Sequence, residues 1–206
     1  MATKNQKSAL ISVFNKDRIG EIAQKLTDLN INIISTGGTE KFLKKLGFKV
    51  DKVEEITEYP SIFGGRVKTL HPKVFGGILF RRNLPEDIDE KNKFKIPSID
   101  YVIVDLYPFE QTVKDSKSHS EIIEKIDIGG ISLIRAAAKN YNDVVCVSCT
   151  DQYDNFIKDL NENDGIFSLE TKKDYALKAF SISSNYDNLI SNYFEKGFLS
   201  ETKELR

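Results

Sequence analysis

The sequence lacks any apolar stretch long enough to span a bilayer, and its first residues, MATKNQK, do not lead into the apolar segment of a secretory signal. Only two cysteines are present, Cys146 and Cys149, which are too few for a disulfide framework. The formal net charge is −1, which argues against the broad basic face of a general nucleic-acid binder. These absences predict a cytoplasmic protein without a membrane or nucleic-acid partner.

No group of residues has the spacing of a metal site. Cys146 and Cys149 form a C-x-x-C pair, but residues three apart on a strand point to opposite faces and do not easily chelate one metal. A redox C-x-x-C also needs a helix N-terminus, so packing is the better interpretation. The chain of 206 residues is 40% hydrophobic and 30% charged, as expected for one large domain or for a domain with an appendage.

Apolar periodicity predicts strands that alternate with helices. The predicted strands cover residues 9–14, 31–35, 48–53, 101–106 and 143–148, with a possible short one at 78–80. Helices are predicted at residues 18–29, around Phe42 to Leu46, and at 130–139, whereas the lysine-rich residues 91–95 are predicted as a loop. The alternation predicts an α/β fold with a mostly parallel sheet covered on both faces. A long helix with one apolar and aromatic stripe follows over about residues 171–194.

The most unusual segment is basic and rich in glycine. Residues 64–79 read GGRVKTLHPKVFGGIL, and no Asp or Glu occurs between Tyr59 and Pro85. Glycines allow close backbone approach, and Arg66 and Lys68 could meet a phosphate or a developing oxyanion together with Thr69. A solvated basic loop and a purely structural role of His71 in a turn are the alternatives.

A second candidate is the sequence STGGT at residues 35–39, between a strand and a helix. Backbone N–H groups at a helix N-terminus bind anions, and threonine hydroxyls assist them. The first strand ends similarly, with Ser12 and then Lys16. If the two strands are neighbours, both turns emerge at one edge and could hold one phosphate. A plain strand–helix turn capped by Thr39 is the alternative.

Two more turns carry candidate chemistry. Tyr107 lies in DLYPF, where a parallel strand delivers a residue to the ligand edge of the sheet, although a core aromatic would also fit. Asp127 lies in IDIGG between two isoleucines. This position favours either a functional acid or base or a helix cap. Arg135 and Lys139 share one face of the helix that follows.

GGRVKTLHP, DLYPF, IDIGG and RAAAKN, in this order and together with STGGT, closely resemble the IMP cyclohydrolase domain of the bifunctional purine-biosynthesis protein family. The resemblance covers residues 9–194 and implies a methylglyoxal-synthase-like fold. It also implies the dehydrative ring closure of 5-formamidoimidazole-4-carboxamide ribotide to inosine monophosphate, the last step of de novo purine synthesis. It further implies a homodimer, a cyclohydrolase domain at residues 1–167 and a helical extension at 168–206. Family members continue into a formyl-transferring domain, so we expect no transformylase activity from these residues.

By the same resemblance, the family's catalytic group corresponds to Lys68, Tyr107, Asp127 and Lys139. The residues expected to bind the substrate are Ser12, Lys16, Thr36, Gly38, Thr39, Arg66, Thr69, Ile128 and Gly129. Two positions depart from the family pattern: Asp105 replaces the usual Asn before Leu-Tyr-Pro-Phe, and Phe75 stands where relatives often carry His. Because Asp carries a charge and Asn does not, we expect Asp105 to alter the charge beneath Tyr107.

The implied reaction needs positioning, a cation beside the formyl oxygen and a base near the carboxamide nitrogen, for which we choose Lys68 and Asp127. No step needs a metal or a redox cofactor. Methylglyoxal synthase, a regulatory phosphate-binding module of the same fold, and a non-enzymatic nucleotide-binding module are alternatives. The first two would explain STGGT, but neither of them explains GGRVKTLHP with DLYPF and IDIGG.

Overall fold

A computed structural model describes the backbone of residues 6–116 and 118–204 and the side chains of residues 6–116 and 118–195. The strands are β1 Ser8–Ser12, β2 Asn32–Ser35, β3 Asp51–Lys52, β4 Tyr101–Val104 and β5 Val145–Val147. The helices are α1 Ile19–Asp28, α2 Gly37–Lys45, α3 Val53–Thr57, α4 Pro72–Leu79, α5 Pro85–Lys93, α6 Phe109–Asp115, α7 His119–Glu124, α8 Gly129–Lys139, α9 Tyr153–Glu162 and α10 Leu169–Glu204.

The five strands form one sheet in the order β3-β2-β1-β4-β5, and all the pairs are parallel. Leu10 of β1 pairs with Ile34 on one side and with Val102 on the other. The strand order reverses between β1 and β4, and in open parallel sheets the crevice at such a reversal is where ligands bind. The predicted α/β fold with a mostly parallel sheet is confirmed.

The core lies on both faces of the sheet, because successive strand residues point to opposite sides. Ile11 belongs to the cluster on the α1 and α9 face, which also contains Phe156. Leu10 belongs to the cluster on the α4 and α8 face, which also contains Ile78 and Ile134. All five side chains are fully buried, as expected for a sheet covered by helices on both sides.

Helix α10 packs against α8 and β5. Tyr175, Ala179, Ser183 and Tyr186 are buried along one side of it, so the prediction of a long helix with one apolar and aromatic stripe is confirmed. Phe180 remains 41% exposed. Within the described residues, no helix is both long enough and apolar enough to cross a membrane.

Two local predictions were wrong. The apolar residues 78–80, predicted as a possible strand, lie largely in α4, because Pro72 fills the first helical position and His71 caps the helix. Val74 and Ile78 then face the core four residues apart. The lysine-rich residues 91–95, predicted as a loop, include the last turn of α5. Lysines there are favourable because they compensate the negative end of the helix dipole.

Replacing Phe156 with alanine tests the packing on the α9 face. The Phe156 ring is fully buried and lies 5.7 Å from the Phe167 ring and 6.0 Å from the Tyr101 ring, measured between centroids. Removing a buried phenylalanine ring leaves a cavity, which typically lowers the free energy of unfolding by about 3–5 kcal/mol. Phe94→Ala, at a 56% exposed ring, is the control and should change stability by less than about 0.5 kcal/mol. Urea denaturation measures both, and equal effects would contradict this description of the core.

Candidate active site

Most of the candidate residues lie at the carboxyl edge of the sheet, where the predicted turns meet. Ser12 ends β1, and Thr36 directly follows β2, the strand that pairs with β1 in parallel. Tyr107 follows β4, on the other side of β1. The expectation that the turns after β1 and β2 emerge at one edge is therefore confirmed.

The turn after β2 begins helix α2. Gly37 is the first helical residue and has φ +58°, a conformation that favours glycine. The first N–H groups of a helix have no acceptor inside it, so those of residues 37–39 are available to an anion. The neighbouring hydroxyls are engaged within the protein. Thr36 Oγ1 donates to Glu54 Oε1 at 3.1 Å, and Thr39 Oγ1 donates to the carbonyl of Val13 at 3.0 Å.

The Lys68 side chain lies across two glycines. A Cβ on Gly37 would lie 3.2 Å from Lys68 Nζ, and one on Gly65 would lie 2.4 Å from Lys68 Cε. Gly65 has φ +96°, so both its backbone and its lack of a side chain admit the lysine. Within the described side chains, no carboxylate oxygen lies within 4.0 Å of Lys68 Nζ. The ammonium therefore adds its charge to the N-terminus of α2.

Thr69 connects this loop to a second helix N-terminus. It is buried, and a Cβ on Gly129, the first residue of α8, would lie 3.2 Å from Thr69 Oγ1. Consecutive residues of one basic loop thus lie against the N-termini of α2 and α8. Two positive helix ends and one ammonium make this edge suitable for an anionic ligand.

Asp127 precedes α8 and accepts a hydrogen bond from the N–H of Gly130 at 2.6 Å through Oδ1. A Cβ on residue 130 would lie 2.6 Å from Asp127 Oδ2, so only glycine fits there without moving the carboxylate. Burial raises the pKa of Asp127, the Gly130 N–H opposes this shift, and the negative charge of Asp105 reinforces it. Asp127 thus makes the contact expected of a helix cap, and it also has the raised pKa expected of a functional acid or base.

Asp105 supports the turn after β1. Its Oδ2 accepts the N–H of Asn15 at 2.9 Å, and its Oδ1 accepts the N–H of Phe14. Lys16 donates to the carbonyl of Phe14 at 3.0 Å, and burial lowers the pKa of this lysine while Asp105 opposes the shift. Burial raises the pKa of Asp105, opposed by the same backbone N–H groups and by Lys16.

Tyr107 is 39% exposed, so it is not a core aromatic. Its ring centroid lies 5.0 Å from that of Phe14, and Lys125 Nζ lies 5.3 Å from the Tyr107 ring. A cavity of about 800 Å³ opens beside these turns, between the ends of β1, β4 and β5 and helix α10. Its walls include Lys16, Asp105 and Tyr186.

Two candidates are placed differently from the rest. Lys139 ends α8, ten residues after Gly129, which puts it about 15 Å along the helix axis from the Asp127 turn. A single chain therefore does not bring Lys139 to Asp127. Arg66 forms an exposed pair with Glu124, with Arg66 Nε 3.2 Å from Glu124 Oε1. Exposed pairs are weak, so an anionic ligand can compete for this arginine.

His71 has a role in folding. Its Nδ1 accepts the N–H of Lys73 at 3.1 Å and caps α4, and its ring stacks on Tyr59 at 6.5 Å between centroids. The Cys146 thiol is buried and directed at the carbonyl of Ile134, 3.6 Å away, in keeping with a packing role. In the part of the chain that the structure describes, no three His, Cys, Asp or Glu residues are grouped as for a metal.

The sequence reasoning missed several neighbours of the site. Gly37 and Gly65 admit Lys68, Glu54 binds Thr36, and Tyr186 of α10 contacts the Asp127 turn. The Gly-Gly pairs in the sequence were a visible signal for Gly37 and Gly65. Glu54 and Tyr186 gave none, because they reach the site from separate elements.

The parallel sheet with helices on both faces defines the α/β class of protein, and its carboxyl edge presents two helix N-termini, which favour anions. The chain belongs to the MGS-like domain family, whose sequence profile matches residues 18–132. Residues 137–206 match a second profile, described as the AICARFT/IMPCHase bienzyme.

Individual relatives agree with both matches. The bifunctional purine biosynthesis protein PurH of Bacteroides thetaiotaomicron is 54% identical over 195 residues, which are 95% of this chain and 38% of that protein. PurH of Clostridioides difficile is 50% identical over 91% of this chain and 36% of its own length. The crystal structure of ForH is 33% identical, with a TM-score of 0.81 over 92% of this chain and 99% of ForH. The chain thus spans less than two fifths of these PurH proteins.

Asp127→Asn tests the electrostatics of the site through stability. A raised folded pKa means that the ionised carboxylate destabilises the fold above that pKa and costs nothing below the unfolded value. Asparagine carries no charge and keeps an acceptor for Gly130. We expect the variant to melt at the same or a higher temperature than the wild type at neutral pH, with the difference narrowing as pH falls.

Asp87→Asn is the control, because the pKa of Asp87 is shifted in the opposite direction. Arg81 lowers the pKa of Asp87 to about 2 through side-chain and backbone hydrogen bonds, so its ionised form stabilises the fold. This variant should melt lower at neutral pH, and its deficit should fade as pH falls toward that value. Thermal melts across pH measure both variants, and a lower melting temperature of Asp127→Asn at neutral pH would contradict the assigned pKa shift.

Proposed function

We propose that this chain is an IMP cyclohydrolase, which closes the ring of 5-formamidoimidazole-4-carboxamide ribotide to give inosine monophosphate and water. The observation that carries the proposal is the basic loop whose Lys68 and Thr69 lie against the N-termini of α2 and α8, beside Asp127. The match to the AICARFT/IMPCHase profile and the purine-biosynthesis relatives favour this reaction over others on the same fold.

The 5′-phosphate is proposed to bind at the N-terminus of α2. The free N–H groups of the Gly37 turn supply donors, and Lys16 and Lys68 supply positive charge nearby. Ser12 at the end of β1 and Thr69 before α4 border the same edge. Arg66 would exchange Glu124 for the ligand. Gly129 and Ile128 would lie along the base, where the absence of a side chain on Gly129 leaves the backbone accessible.

In the reaction, the carboxamide nitrogen bonds to the formyl carbon and loses one proton, and the formyl oxygen takes up a proton to become a hydroxyl. The C–OH bond then breaks while the formamido nitrogen gives up its proton and forms the ring C=N bond, so that the oxygen leaves as water. Both reacting groups belong to one molecule, so holding the productive rotamer removes much of the entropic cost. Asp127 is proposed to accept the nitrogen's proton, since a base with a raised pKa works nearer neutral pH. Lys68 is proposed to stabilise the negative charge that develops on the oxygen. The Tyr107 hydroxyl would form a hydrogen bond within the catalytic group that contains Asp127 and Lys68.

Lys139 is proposed to act across a homodimer. It is exposed at the far end of α8, too distant from Asp127 of its own chain to complete the site. A second copy presenting its own Lys139 at the first copy's carboxyl edge would bring the group together. Symmetric dimers form such reciprocal contacts in pairs, so each dimer would hold two shared sites.

Lys68→Met tests the function and separates two roles for this lysine. Wild-type protein should convert the formylated ribotide to inosine monophosphate. If Lys68 stabilises the oxyanion, the variant should lose about 10²–10³-fold in kcat with a small change in KM, because the contact strengthens only in the transition state. Steady-state kinetics measures both.

The matched control is Lys73→Met, because Lys73 belongs to the same basic segment but pairs with Glu58 at 2.6 Å. It should retain near-normal turnover. A raised KM with unchanged kcat in Lys68→Met would reassign Lys68 to the phosphate. An inactive wild-type protein that is folded by circular dichroism would contradict the proposed function.

Mixing two inactive variants tests the shared site. Asp127→Asn and Lys139→Ala should each lose most activity as homodimers. After exchange of subunits, each mixed dimer holds one intact site, so activity should recover to about a quarter of the wild-type value by statistical pairing. Either variant mixed with itself is the control. No recovery in mixtures shown to contain mixed dimers would place Lys139 outside the site.

A further inference from the structure

Tyr186 of α10 contacts the turn that carries Asp127. Its side chain is 5% exposed, and its hydroxyl accepts a hydrogen bond from the backbone N–H of Asp127 at 2.8 Å. The same hydroxyl donates to the carbonyl of Lys125 at 3.4 Å. One phenol thus satisfies the main chain on two residues of this turn, at the point where the chain enters α8.

The ring of Tyr186 also contacts the second turn of the site. It packs edge-on against Phe109, with ring centroids 6.1 Å apart. Phe109 is 2% exposed and follows Tyr107 by two residues, after Pro108. Because Phe109 is fixed in this small cluster, the position of the Tyr107 backbone is fixed with it. Tyr186 is therefore in contact with both turns that carry candidate catalytic side chains.

We propose, on the basis of the function proposed above, that Tyr186 is a positioning residue for ring closure. It sets Asp127 and Tyr107 relative to each other, through its hydroxyl on one side and its ring on the other. Without the hydroxyl, the Asp127 N–H loses its partner in a partly buried turn, and the turn shifts to find another. A displacement of about 1 Å in a catalytic group can cost on the order of 10²-fold in rate.

Helix α10 thereby has an indirect role in the reaction, through the turns that it supports. Helix α10 also contacts α8 through Arg135, whose Nη1 donates to the buried Ser183 Oγ at 3.3 Å. Residues from about 183 to 193 therefore hold the elements on either side of the Asp127 turn. An α/β domain that lacked this helix would have its Asp127 main chain unsupported.

The test compares Tyr186→Phe with Tyr193→Phe. Both changes remove one hydroxyl from α10 and keep a ring against Phe109, since the Tyr193 ring centroid lies 5.9 Å from that of Phe109. The Tyr193 hydroxyl instead lies 2.8 Å from His119 Nδ1 on α7, away from the candidate catalytic residues. The full chain is assayed with the formylated ribotide, and thermal melts confirm that both variants are folded.

We expect Tyr186→Phe to lower kcat about tenfold or more while KM changes less than about twofold, since the catalytic geometry is altered and the phosphate site is not. Tyr193→Phe should match the wild type in both constants. Equal kcat in the two variants, or a change in KM alone, would overturn the inference while an active wild type upheld the function. An inactive wild type would contradict the function itself.

Discussion

The site depends on backbone N–H groups that no helix can satisfy internally. The parallel sheet brings the N-termini of α2 and α8 to one edge, and the first N–H groups of each helix have no acceptor within that helix. The loop that carries Lys68 and Thr69 lies against both ends, admitted by Gly37, Gly65 and Gly129. Charge, donors and glycine-lined space therefore coincide at one place. An anion bound there would meet donors that are already oriented, so little reorganisation would be needed.

The carboxylate of Asp127 is held at this edge at a cost to the fold. Burial and the neighbouring charge of Asp105 both disfavour the ionised form of Asp127, while only the Gly130 N–H opposes them. The same turn is supported from α10 by Tyr186, which is buried against Phe109. The ionised carboxylate of Asp127 therefore destabilises the fold, and the packing of α10 stabilises the same turn. Such a combination is typical of functional sites.

The sheet could be predicted because buried strands and amphipathic helices have distinct periods, as in 9–14 and 18–29, which the structure gives as Ser8–Ser12 and Ile19–Asp28. The STGGT turn could be predicted because its glycines and position imply a helix N-terminus. Residues 78–80 were mistaken for a strand, since a short apolar run has no clear period and the cap at His71 decided the outcome. The separation of Lys139 from Asp127 follows from the length of the helix between them, which was predicted at residues 130–139 and is confirmed as Gly129–Lys139. Contacts from distant elements, such as Tyr186, have no local signal.

The most direct test of the anion site is calorimetry with inosine monophosphate and inosine, which differ only in the phosphate. If the N-terminus of α2 and the nearby lysines bind that phosphate, the monophosphate should bind at least about tenfold more tightly, and its advantage should shrink as salt rises. Lys16→Met should reduce the advantage and leave the inosine affinity unchanged. Equal affinities of the two ligands for the wild-type protein at low salt would contradict the account.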